Sequence, residues 1–127
     1  MKVGIKNQIK KTVVEGLTAK VMGSGRLDVF ATPAMVAMME EAAHTSVEAE
    51  LEEGQGTVGT SMTVSHLAAT PVGMEVTCES ELVEVDGRKL VFEIKAMDEA
   101  GIIGEARHER FIIENEKFLA KTNAKLK

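Results

Sequence analysis

The feature that most constrains this chain is the run that opens at Thr32-Pro33, continues without Gly or Pro to Glu53 and stops at Gly54. Thr at the cap, Pro at the first helical position and Gly past the end punctuate one long helix: Pro pre-sets φ where no donor is needed, and Gly accepts the left-handed exit. At ~100° per residue, Val36, Met39, Ala43 and Val47 fall in one narrow sector while Glu41, Glu48 and Glu52 project opposite, so the helix is amphipathic and packs on something. After Gly54-Gln55-Gly56 the apolar period shortens from ~3.6 to ~2 residues. Val58, Met62 and Val64 share one strand face, Thr70-Pro71-Val72-Gly73 turns the chain, and a strand follows from about Met74 to Val85. Asp86-Gly87 is a hairpin signal leading into Leu90, Phe92, Ile94 and Ala96 at alternate positions. Asp98-Glu99-Ala100-Gly101 then turns the chain into a last strand from about Ile102 to Glu114. Ahead of the helix, a short β-branched strand around Lys11 to Val14 is followed by Gly16 and Gly23-Ser24-Gly25, which read as a mobile loop.

A strand, a long helix and four consecutive antiparallel strands specify an α+β architecture in which a curved sheet of about five strands wraps one central helix. It is expected to occupy residues 1–127 as a single domain, since no composition shift or repeat divides the chain. An open sheet leaves edges, which are usually paired or covered, so a homodimer is expected. With 44% apolar residues over 127 positions, the chain has the material for one real core. No stretch approaches the ~18 apolar residues of a membrane span, and MKVGIKNQIKK lacks the apolar centre of a secretion signal, so a cytoplasmic location without membrane contact is expected. Cys78 stands alone and the three His are scattered, which leaves no disulfide, no metal cluster and no expected cofactor. A net charge of −5, four Phe, and no Trp or Tyr exclude the basic field and stacking rings of a nucleic-acid binder.

A few polar residues are out of place in this pattern. Glu40 lies about 40° from Val36 on the helical wheel, so the helix turns its carboxylate toward the sheet. A carboxylate on a packed face is costly unless paired, and such sites are enriched for function; Glu50 lies at a similar angle but frays near the helix end. His66 has the strand parity of Val58, Met62 and Val64, although a lone histidine on such a face is more often a satisfied core residue than a catalyst. His44 follows Glu40 by one helical repeat, without a third metal ligand in register. Thr32 is sufficiently explained as the helix cap, yet a helix start is also where N–H groups and the dipole stabilise an oxyanion. Thr32, Glu40 and His66 are therefore expected to converge near that end. Gly59 offers a close backbone approach or marks a β-bulge.

Val29-Phe30-Ala31-Thr32-Pro33, Met39-Glu40, Thr57-Val58-Gly59-Thr60, His66-Leu67-Ala68, Thr70-Pro71-Val72-Gly73 and Gly104-Glu105-Ala106-Arg107-His108-Glu109-Arg110 together resemble the hotdog-fold thioesterases of the fluoroacetyl-CoA thioesterase-like family. The resemblance runs in order along nearly the whole chain. It implies a hotdog fold, a dimer with two sites at the subunit interface, and hydrolysis of an acyl-CoA thioester in which coenzyme A is part of the substrate. It also implies Thr32, Glu40 and His66 as the catalytic set, with Gly59 near the thioester carbonyl. Glu40 would act as general base or nucleophile, Thr32 would orient it and His66 would shuttle protons. Arg110, Arg107 and Lys residues are candidate cations for the coenzyme A phosphates, and Phe30 a candidate wall of the acyl pocket. Gly23-Ser24-Gly25-Arg26-Leu27 carries no ring ahead of Phe30, so fluoroacetyl selectivity is not expected to carry over. Two alternatives keep the groove and change its use: a hotdog enoyl-CoA hydratase, against which the separation of Glu40 from His66 argues, and a non-catalytic acyl-CoA binding module.

Overall fold

A computed structural model of the protein describes residues 1–126. Its strands are β1 (Lys6–Thr12), β2 (Gln55–His66), β3 (Glu75–Asp86), β4 (Lys89–Asp98) and β5 (Gly101–Glu114); its helices are α1 (Ala19–Met22), α2 (Thr32–Ser46) and α3 (Asn115–Asn123). All strand pairs are antiparallel, and the order across the sheet is β1-β3-β4-β5-β2. The strand that follows α2 thus crosses to the far edge and, among the described residues, pairs only with the last strand. Alternation sets the sheet's inner face: Val76, Cys78, Ser80 and Leu82 on β3, and Leu90, Phe92, Ile94 and Ala96 on β4, are all buried against α2. This is the helix-in-sheet arrangement expected from the sequence.

Several expectations need correction. The first strand begins at Lys6 rather than near Lys11. The loop before the long helix contains a 3-10 turn at Glu15–Leu17 and then α1, which Thr18 caps from its hydroxyl and Gly23 ends at φ 81°. Helix α2 ends at Ser46, not Glu53: the Thr45 and Ser46 hydroxyls bond back to the carbonyls of Glu41 and Ala43, Val47 is buried, and a 3-10 turn occupies Glu48–Glu50. The centre of its buried face is Met35, Met38, Met39 and Ala42, with Val36 only half-buried on the flank. The sequence reading did not anticipate α3, which starts where Asn115 N–H bonds the Gly54 carbonyl.

The most consequential difference lies in β2. Its register with β5 slips between Gly59 and Ser61, leaving Thr60 as an extra residue. The bulge reverses parity, so Thr57 and Gly59 share the inner face with Met62, Val64 and His66, and Val58 turns outward opposite the exposed Phe111. No helix among the described residues is long and apolar enough to cross a membrane. Cys78 is fully buried, and burial pushes its thiol up to about 12 against the opposing field of Lys11. A thiol so held is almost wholly protonated near neutrality; native protein should therefore resist alkylation and give one modified thiol per chain only in denaturant, as read by intact-mass spectrometry. Rapid labelling of native protein would contradict the packing.

Candidate active site

The start of α2 is pinned from both sides. Phe30 N–H donates to the Thr70 carbonyl and Ala31 N–H to the Leu17 carbonyl, each at 2.9 Å, and Ala31 rather than Thr32 is the helix cap. Thr32 is the first helical residue, and its hydroxyl caps nothing: Oγ1 lies 2.7 Å from His66 Nδ1. His66 ends β2 opposite Gly104, and a Cβ at Gly104 would stand 2.7 Å from Met35 Sδ and 3.1 Å from the Ser65 carbonyl. The missing side chain therefore lets the first turn of α2 approach the end of β2 closely enough for the two polar groups to meet.

His66 Nε2 is buried and has no hydrogen-bond partner among the described residues. Burial lowers the pKa of the ring below its ordinary value, and the backbone of Ala68 offsets this in part. A neutral imidazole on a hydroxyl that is open to solvent is a nucleophile and base arrangement. The side chain lies at the N-terminal end of α2, where orphan N–H groups and the helix dipole favour developing negative charge.

Glu40 lies two turns further along the same helix, so ~12 Å of axial rise separates it from Thr32. It belongs to a different cluster. Arg110 Nη1 donates to Glu40 Oε2 at 3.0 Å, while Nε donates to Thr57 Oγ1 at 2.8 Å and Nη2 to the Thr57 carbonyl at 3.0 Å. Arg110 Nη1 also lies 3.1 Å from Nε2 of His108, whose Nδ1 sits 2.8 Å from the Ser61 carbonyl. Gly59 faces this group: a Cβ there would stand 2.9 Å from Glu40 Oε2 and 3.3 Å from His108 Cε1. The close backbone approach is thus real, and it is made by the Glu40 carboxylate.

The structure joins Thr32 to His66 and places Gly59 beside Glu40, but it does not bring those two pairs together within one chain. Arg110 is not a surface cation awaiting a phosphate; it is 7% exposed, with its guanidinium committed to Glu40 and Thr57. Arg107 is exposed and lies 4.0 Å from Glu84. Phe30 is a core residue, 3% exposed. His44 pairs with Glu48 at 3.4 Å, and no group of three metal-ligating side chains forms among the described residues. His108 was missed as a site residue. The available signal was its parity with Arg110 on β5, which turns both inward and isolates a histidine beside a buried cation.

Burial lowers the pKa of His108 as it does that of His66; the Ser61 carbonyl and Glu40 oppose the shift, and Arg110 adds to it. The unfolded rings accept protons near the ordinary value of 6.5, whereas the folded rings stay neutral to lower pH. The unfolded state then binds more protons, so stability should be greatest above pH 6.5 and fall as the pH drops through the folded pKa values. Urea midpoints measured across that window check the sign; a midpoint that rises on mild acidification would contradict it.

The family model described as fluoroacetyl-CoA-specific thioesterase matches residues 13–116. The fluoroacetyl-CoA thioesterase of Streptantibioticus cattleyicolor is 45% identical over 98 residues, spanning 77% of this chain and 70% of that protein. A solved structure of a fluoroacetyl-CoA thioesterase superposes with a TM-score of 0.94 at 37% identity, covering 100% of this chain and 98% of the other. A hot-dog-like protein from Thermanaerovibrio acidaminovorans, at 23% identity, shares the fold with a TM-score of 0.91 over 100% of this chain and 94% of its own. The chain belongs to the fluoroacetyl-CoA-specific thioesterase family and has the hotdog fold.

Proposed function

We propose that this protein is an acyl-CoA thioesterase, hydrolysing the thioester of a small or medium acyl group to the free acid and coenzyme A. The observation that carries the reading is the 2.7 Å contact between the Thr32 hydroxyl and His66 at the N-terminal end of a long helix, in a chain of this family. Neutral His66 accepts a proton from the Thr32 hydroxyl or from a water beside it, and the oxygen so activated attacks the thioester carbonyl. The negative charge on the tetrahedral carbonyl oxygen is met by backbone N–H groups of the helix start, and the same histidine returns its proton to the departing thiolate sulfur. If Thr32 is acylated, the again-neutral His66 takes a proton from a water, the water oxygen attacks the ester carbonyl, and the proton returns to Thr32 Oγ1 as the acid leaves. The reaction needs no cofactor beyond water, since coenzyme A arrives with the substrate.

Glu40 belongs to the same site in this reading, as the alternative base or nucleophile or as an electrostatic partner. Because one chain keeps it ~12 Å along the helix from Thr32, a shared site in a homodimer is the arrangement that lets both face one thioester. β2 supports this: it is an edge strand of twelve residues with one side unpaired, and such edges are normally covered. We place the homodimer in the cytoplasm, acting on acyl-CoA rather than on nucleic acid or membrane. The fluoroacetyl-CoA thioesterases among the relatives are named for fluoroacetyl-CoA; the ring-free segment Gly23–Leu27 argues for a different acyl group here.

Free-thiol release from a panel of acyl-CoAs, acetyl through long-chain and phenylacetyl, tests the reading and names the acyl class. Wild-type protein should turn over at least one member, and Glu40→Ala should lose about two or more decades of kcat if the carboxylate is the base or nucleophile. Binding of acyl-CoA without thiol release would favour the binding-module reading instead.

A further inference from the structure

The Arg110 guanidinium is held at four points, and one of them constrains its neighbour's chemistry. Nη1 points one way to Glu40 and another to His108 Nε2, at 3.0 and 3.1 Å. An arginine has no lone pair to offer, so the second contact is a hydrogen bond only if His108 Nε2 is the acceptor. The proton of the ring must then sit on Nδ1, where the Ser61 carbonyl stands 2.8 Å away to receive it. We propose that His108 is a positioning residue that sets Arg110 against Glu40: its neutral ring, donating to Ser61 and accepting from Arg110, fixes the direction of Nη1. The proposal builds on the thioesterase reading, in which Glu40 belongs to the reaction site.

Four elements surround the ring; burial and the Arg110 cation hold it neutral against the pull of Glu40. From β5, Arg110 presents a permanent cation; from α2, Glu40 Oε2 lies 4.0 Å from Nε2; from β2, Ser61 and Gly59 present backbone; from β4, the Phe92 ring packs with centroids 6.2 Å apart. His108 is 2% exposed, so water does not substitute for a lost partner. Protonation at Nε2 would place an N–H against the guanidinium and offer Glu40 a second cation, so the carboxylate would exchange Arg110 for His108. A histidine used only to fill space would leave the direction of Nη1 unchanged by its charge.

The test compares wild type, His108→Gln and His108→Asn. Gln carries an amide oxygen to about the place of Nε2 and keeps the acceptor for Arg110; Asn reaches only the Ser61 carbonyl. The expected result is a kcat for Gln within about threefold of wild type and a loss of about tenfold or more for Asn, with KM little changed. As the pH falls through the histidine range, log(kcat/KM) should fall with two protonations in wild type and with one in the Gln variant, where His66 is the histidine left in the site. Equal losses in both variants, or an unaltered acid limb for Gln, would overturn the proposal. Nitrogen NMR of wild-type protein gives a second readout that survives if a variant fails to fold: a neutral ring protonated at Nδ1 is expected, and an Nε2-protonated or charged ring at neutral pH overturns the assignment. If wild-type protein cleaves no acyl-CoA, the thioesterase reading fails, and the tautomer still decides the positioning claim by itself.

Discussion

Thr32→Val is expected to lower kcat by about two to four decades while changing thermal stability by less than about 0.5 kcal/mol. The size follows from removing the only group that His66 Nδ1 contacts at the helix start, a hydroxyl at 2.7 Å. The selectivity follows from what Thr32 does not do. Ala31 is the cap, no side-chain cap bond exists, and Thr32 is exposed, so an isosteric methyl costs the helix almost nothing. A variant that kept wild-type turnover would remove Thr32 from the chemistry. One that lost stability and activity in step would return the residue to the structural role that its sequence position suggests.

Arg110→Met should destabilise the protein by about 3 kcal/mol and abolish most activity. The guanidinium makes two hydrogen bonds to Thr57 and one to Glu40, and it is almost fully buried; deleting it strands Thr57 Oγ1 and leaves His108 Nε2 without a donor. The Glu40 side chain is 41% exposed, so water compensates its lost partner and the estimate sits at the low end for a broken buried pair. Chemical denaturation measures the first effect and thiol release the second. A Met variant as stable as wild type would mean that the Arg110 network carries no net energy.

The parts of the fold carried by periodicity and punctuation were legible from residues alone. Thr32-Pro33 opened α2, Gly87 at φ 61° closed the hairpin after Asp86, and the alternation from Leu90 to Ala96 predicted a β4 face that is wholly buried. What failed depended on competition between side chain and backbone. Thr45 and Ser46 end α2 by bonding their own helix, and no apolar pattern records that. The single extra residue at Thr60 reverses the face of β2, so Val58 points outward although its parity with Val64 argued otherwise. His66 kept the inward face because it lies beyond the bulge.

The candidate site was legible by misfit and obscure by partnership. Glu40 and His66 stood out as polar groups on packed faces, and each meets a polar partner there, Arg110 and Thr32. Their partners were hidden because pairing is tertiary. Arg110 read as a surface cation when its sequence neighbours are charged, yet β5 parity and the Gly59 gap bring it onto Glu40. Thr32 read as a cap when the cap is the preceding alanine. The ~12 Å of helix between Thr32 and Glu40 was arithmetic available from the spacing of eight residues, and it divides the expected set into two groups.

The measurement that tests the account most directly is thiol release from one cleavable acyl-CoA by wild-type protein and His66→Gln, assayed side by side at a pH above the histidine range. Multiple turnovers by wild type and a loss of about two or more decades in the variant, with acyl-CoA still bound, are the predicted result. Undiminished release by His66→Gln would contradict the assignment of the reaction to the Thr32–His66 pair.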